Sequence, residues 1–162
     1  MYTKEILMSL HPELCRMVIR GDMKQIPKKN APYVKTPFKV YLYQTLPRWG
    51  DWNDSDGHVI AEFTCDAIYY VLTHPDMFAK HPMFYSKSVE ETGLTQDQIE
   101  KYSAGKDVYG WNVKDLVVYD KPRKISEFAS RSSTHEHTEV GLFKLSGLKK
   151  APSNWCYVTQ AG

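Results

Sequence analysis

Four lysines and a few aromatic rings are the residues of this chain with the clearest chemical use. Lys24, Lys28 and Lys29 crowd one short stretch, and Lys121 opens a second basic knot, Lys121-Pro122-Arg123-Lys124. Ammonium groups clustered in this way neutralise phosphates, and such contacts hold a nucleic acid in place without reading its sequence. Tyr109 and Trp111, with Trp49, would add flat faces on which unpaired bases can stack. Trp49 shares a polar loop, residues 47–57, with Arg48 and Trp52. Rings in that setting either fold back as a lid on the core or form an open stacking platform. The Lys121 turn likewise reads as a solvated turn or as a phosphate contact.

Other chemistries find fewer footholds. His74 and His81 bracket the run HPDMFAKH with no third ligand at a metal-site spacing, and His135 and His137 stand in a polar run, where they would catch only adventitious metal. Cys15, Cys65 and Cys156 are far apart and form no CxxC pair, so neither a zinc site nor a disulfide framework is expected. Reduced, mostly buried thiols in a reducing compartment are the expectation, and no cofactor is implied. Glu62 is a lone acid on a strand and reads as solvated or paired with a lysine. Nucleophilic catalysis needs a base beside its nucleophile, and the sequence presents no such pair.

The elements that must position these groups follow from periodicity. Residues 6–10 form an apolar run of strand type, and His11-Pro12 starts a helix in which Leu14, Met17 and Val18 recur at helical spacing. Gly21 ends it, and the return segment carries the first three lysines to one edge of the fold. Residues 38–43 alternate as a half-buried strand, and residues 58–71 as one long strand bent near Asp66. Two short helices follow at 86–92 and 95–103, the second with a Thr95/Gln98 capping box and with Gly105 at its end. Residues 108–119 form a strand interrupted at Gly110 by a bulge or a close backbone approach, with Tyr109 and Trp111 on one face. Residues 129–140 are rich in Ser, Thr and His and are expected to be mobile, and a last short strand spans 155–158.

A chain of 162 residues suffices for one well-buried core, so a single domain over 1–162 is expected. A formal charge of only +2 means that any surface for nucleic acid must be a local patch. No run approaches the roughly 20 apolar residues of a spanning helix, and no charged leader precedes an apolar stretch. A soluble, cytoplasmic protein with no membrane partner is expected.

The order SLHP, short helix, Gly21 and basic return strand resembles the opening signature of the ASCH family, a branch of the PUA-like β-barrels. FKVYLYQT at 38–45, HVIAEFTCD at 58–66, VYGWNVKDLVVYDKPRKISEF at 108–128 and PSNWCYV at 152–158 extend the likeness, in particular to ASCH proteins of phages and prophages of Gram-positive bacteria. The resemblance implies an α+β fold, a mostly antiparallel PUA-like β-barrel with a few short flanking helices, and a cleft beside the opening helix. It also implies a signature string Gly-x-Lys-x-x-Thr/Glu-x-Arg, against which this chain sets Met23 for the lysine, Ile26 for the threonine or glutamate, and Lys28 for the arginine. A small ASCH enzyme that deacetylates acetylated cytidine uses that lysine and threonine with a distant glutamate. Thioether and sec-butyl groups supply neither proton relay nor nucleophile, so the activity is not carried over.

Three functions remain open at this point. The first is a nucleic-acid-binding module, with RNA favoured, that uses Lys24, Lys28, Lys29 and Lys121 for the backbone and Tyr109, Trp111 and Trp49 for bases. The second is a phage-encoded, anti-CRISPR-like inhibitor of a host defence nuclease, which would act in the host cytoplasm. It would dock through Trp49, Trp52, Met77 and Phe78. The third is an ASCH-type hydrolase or ribonuclease.

Overall fold

In chain order the elements are β1 (Glu5–Leu10), α1 (Pro12–Arg20), β2 (Gln25–Lys28), β3 (Phe38–Gln44), β4 (His58–Cys65), β5 (Ile68–Thr73) and β6 (Met83–Phe84). Then come α2 (Ser86–Thr92), α3 (Gln96–Ser103), β7 (Val108–Asn112), β8 (Lys114–Arg123), a 3₁₀ turn (Ile125–Glu127), β9 (Phe128–Ser130) and β10 (Trp155–Gln160). The computed structural model describes residues 5–47, 50, 52–75, 81–130 and 147–160. The polar 129–140 run lies almost wholly outside them.

The strands form two sheets, and the chain gathers into two compact units around them. The first unit draws on residues 1–15, 38–63 and 115–162. Its six-stranded sheet has the order β8-β4-β3-β1-β10-β9, with β1 parallel to β3 and antiparallel to β10. β1 is apolar nearly throughout because it has a neighbour on each side and little open surface, the condition under which strict alternation is lost. Leu7, Tyr41, Val59, Phe128 and Val158 form one buried cluster of this unit.

The second unit draws on residues 16–37 and 64–114. Its four-stranded sheet, β2-β7-β5-β6, is antiparallel throughout. Val71, Leu72, Val89, Ile99 and Val108 form its core, closed by α2 and α3. The Thr95/Gln98 capping box is present, with Gln98 N donating to Thr95 Oγ1 at 3.1 Å and Thr95 N to Gln98 Oε1 at 2.9 Å. The helix ends at Ser103 as expected, with Ala104 as well as Gly105 in the left-handed conformation beyond it.

Both long strands expected from the sequence are divided. Residues 58–71 form β4 in one sheet and β5 in the other, with the break at Asp66-Ala67. Asn112 holds that break, its Nδ2 donating to Asp66 Oδ1 at 2.6 Å and its backbone N–H to Ala67 O at 3.0 Å. Residues 108–119 are divided at Val113 in the same way, into β7 and β8. Gly110 is a close approach and not a bulge: the Gln25 side chain and Val71 lie where a Cβ would stand. The register shift sits on the partner strand, between Tyr70 and Leu72. The architecture is α+β and mostly antiparallel, and neither sheet closes on itself among the described residues.

Candidate nucleic-acid interface

The lysine stretch of the second unit is held by backbone bonds. Gly21, at a φ of +82°, turns the chain out of α1, and the N–H groups of Asp22 and Met23 both donate to Met17 O, at 2.9 and 3.1 Å. Lys24 N then donates to Glu91 O at 2.7 Å, and Lys24 O accepts from Val113 N at 2.9 Å. The Lys24 ammonium is thereby presented to solvent on a fixed backbone. Met23 and Ile26 are buried. Their apolar character matches the place they occupy.

The other two lysines differ from Lys24 and from each other. Lys29 is half-buried, with Nζ 4.9 Å from the centroid of the Tyr102 ring, a cation–π arrangement. Lys28 is only 6 % exposed. It sits directly opposite Tyr109 in the β2/β7 ladder, and Tyr109 in turn sits opposite Tyr70 in the β5/β7 ladder. Residues directly opposite in antiparallel strands share a face, so Lys28, Tyr109 and Tyr70 form one row across the sheet. Tyr70 lies 5.3 Å from Tyr109 and 6.0 Å from Tyr85, centroid to centroid, and is 50 % exposed. Burial, followed by the neighbouring Tyr70 and Asp107, pushes the Tyr109 phenol above its ordinary pKa, so the ring is neutral at physiological pH.

Trp111 belongs to the adjacent row, opposite Ile26 on one side and Ile68 on the other. It shares strand parity with Tyr109 as expected, but its row is closed: the ring is 0 % exposed and its Nε1 donates to Asn30 O at 3.2 Å. A base-stacking role for Trp111 is therefore corrected to a core role. Tyr70 and Tyr85 were not singled out from the sequence. The signal available was the Tyr pair in the IYYVLT strand, where alternation puts at least one ring on an outer face.

In the first unit Lys121 is exposed on β8. Arg123 from the same basic knot is occupied, with its guanidinium 4.5 Å from the Phe128 centroid and 5.7 Å from that of Tyr119, and Nε 3.2 Å from Glu127 Oε1. Glu62 is paired with a lysine, Lys39 Nζ at 2.9 Å, and also accepts from the Tyr119 hydroxyl at 2.9 Å. Burial alone would raise the Glu62 pKa. The hydrogen bonds from Lys39 and Tyr119 and the charges of Lys39 and Arg123 outweigh it and hold the carboxyl below its usual value. The Tyr119 phenol is pushed up to about 12, by burial first and by the Glu62 carboxylate second.

Trp49, Met77 and Phe78 lie outside the described residues, as do Arg48, His135 and His137. Trp52 is described and 64 % exposed. The His74 backbone N–H donates to Asp107 Oδ1 at 2.8 Å, and the ring Nδ1 lies 3.4 Å from the same oxygen. Among the described residues no group of three or more His, Cys, Asp or Glu side chains could hold a metal ion. Cys15, Cys65 and Cys156 form no disulfide among the described residues, and burial pushes the Cys65 thiol up to about 12. Among the described residues no helix is long and apolar enough to cross a membrane.

No family model and no curated protein sequence matches the chain. Solved structures do match it in fold. The ASCH protein of Zymomonas mobilis superposes with a TM-score of 0.61 at 16 % identity, covering 98 % of this chain and 90 % of that one. A point-substituted form of the same protein gives a TM-score of 0.61 at 16 % identity over 96 % of this chain and 91 % of that one, and a second such form gives 0.60 at 16 %. The chain thus has the fold of ASCH proteins, which is the α+β, PUA-like architecture.

Proposed function

We propose that the protein is a nucleic-acid-binding module of ASCH type, with RNA as its ligand, and that it is of the phage or prophage kind. The observation that carries this reading is the Lys28–Tyr109–Tyr70 row, in which a cation adjoins aromatic rings that open to solvent on one sheet face. Lys29 supplies a phosphate contact beside Lys28 at one end of the row and Lys24 another four residues back along the same segment, and Tyr109, Tyr70 and Tyr85 supply surfaces for unpaired bases. Lys28, being buried, shapes the site and does not reach the backbone. With Met23 and Ile26 in the core, acetate release from acetylated cytidine is not expected.

Anisotropy titration of a labelled single-stranded RNA against salt tests the reading. Two lysine contacts account for a slope of about −1.4 in log K against log salt, since each contributes about −0.7 on single strands. Lys24→Glu/Lys29→Glu should remove that much of the slope. Tyr70→Ala should weaken binding about tenfold with the slope retained, because stacking is worth about 1–3 kcal/mol per base. Affinity and slope unchanged in both variants would exclude this surface. A protein-binding reading, an anti-CRISPR-like inhibitor of a host defence nuclease, is favoured by one observation, the exposed Trp52 ring in the 47–57 loop. A host protein that co-purifies after nuclease treatment, and is lost in Trp52→Ala, would support it over the first.

A further inference from the structure

β8 is the outermost strand of the six-stranded sheet, and among the described residues no strand lies beyond it. It is ten residues long, KDLVVYDKPR, and exposes an apolar residue on each face, Val117 at 53 % and Val118 at 46 %. An edge of this length and character is a template for pairing with another strand. It is also held in shape. Tyr119 is tied to Glu62 of β4 at 2.9 Å, and Arg123 at its end is packed over Phe128. Asp115 lies within the strand at a φ of +53°, and Pro122, which has no N–H, ends the stretch over which a ladder can run.

The charges within that stretch select a partner. Two copies of one strand related by a two-fold axis pair antiparallel, with one residue facing its own copy. With Val118 facing Val118, Val117 meets Tyr119, Leu116 meets Asp120, and Asp115 meets Lys121, the last pair occurring twice by symmetry. Opposite charges directly across a ladder are favourable, and like charges are not. The neighbouring register, with Val117 facing Val118, leaves no residue facing its own copy and so breaks the two-fold, and it would also set Asp115 against Asp120 and Lys114 against Lys121. Moving two places, to Val117 facing Val117, puts Asp115 against Tyr119 and leaves Lys121 beyond the facing strand. Only the first register satisfies Asp115 and Lys121 together.

We propose that two copies of the chain associate through antiparallel β8–β8 pairing centred on Val118, with Asp115 of each copy opposite Lys121 of the other. A seam of one strand pair lies at the small end of protein interfaces, so the dimer is reversible and concentration-dependent.

Sedimentation velocity of the full chain over a concentration series should show this dimer. Asp115→Lys and Lys121→Asp, each alone, set like charges opposite each other twice and should weaken association at least about tenfold. Mixing the two variants should restore it, because each altered strand then meets its complement, and the double exchange Asp115→Lys/Lys121→Asp should restore the homodimer. Restoration also shows that the single variants are folded. A wild-type chain that stays monomeric throughout, a dimer insensitive to either reversal, or reversals that mixing does not repair would each overturn the proposal.

Discussion

Gly93 closes α2 in the left-handed conformation, at a φ of +73°, and a Cβ at this position would run into the backbone oxygen of Asp22 and the Met17 methyl. The Met17 methyl ends a flexible side chain and can give way, but the Asp22 oxygen is backbone, so the cost of a side chain is not easily relaxed. Gly93→Ala should lower stability by about 2 kcal/mol or more, seen as a drop in the urea midpoint at constant slope. Glu62 offers a different test, one of linkage. Its folded-state pKa lies below its usual 4.5, so its contribution is fully present above that value and is lost as pH falls through the folded-state pKa. Urea titrations at descending pH should therefore show the wild type losing more stability below about pH 4.5 than Glu62→Gln does, while a parallel decline in the two would remove the assignment. Pairing of Glu62 with a lysine was one of two readings open in the sequence, the other being a solvated carboxylate, and the structure shows the pair with Lys39. The burial of Trp111 was not legible there. Alternation places Tyr109 and Trp111 on one side of β7, but which of two adjacent rows is covered depends on Ile26 and Ile68, contributed by other strands.

Among the elements, α3 shows local chemistry dictating structure: Thr95 and Gln98 form the reciprocal cap that their spacing implies. Thr95→Ala should cost about 1 kcal/mol in thermal or urea unfolding, and Thr95→Asn much less, since Asn also accepts from the helix N-terminus. β4/β5 and β7/β8 show the reverse. Strand-forming residues continue through Asp66-Ala67 and through Val113, with neither glycine nor proline at the breaks, so periodicity reads each pair as a single strand. The divisions are set by partners distant in sequence, Asn112 for the first and Lys24 O for the second. Gly110, the one residue that looked like a break, is inside a regular strand, where its missing side chain makes room for Gln25 and Val71.

For the molecule as a whole, the fold class was legible because short motifs spread along the chain resemble one family, and the match to ASCH structures at 16 % identity rests on the same arrangement of elements. The two sheets were not legible, since a strand's membership is decided by hydrogen bonds that no window of sequence contains. The second unit is complete once residue 114 is in place, whereas in the first unit β1 has β10 as a neighbour, and β10 in turn separates β1 from β9. On the ribosome, β1 can settle against β3 early but must keep its other margin unclaimed until β10 has been translated. A nascent chain stalled before Trp155 would thus hold one finished half and one open sheet, a form that chaperones would meet and the released protein would not.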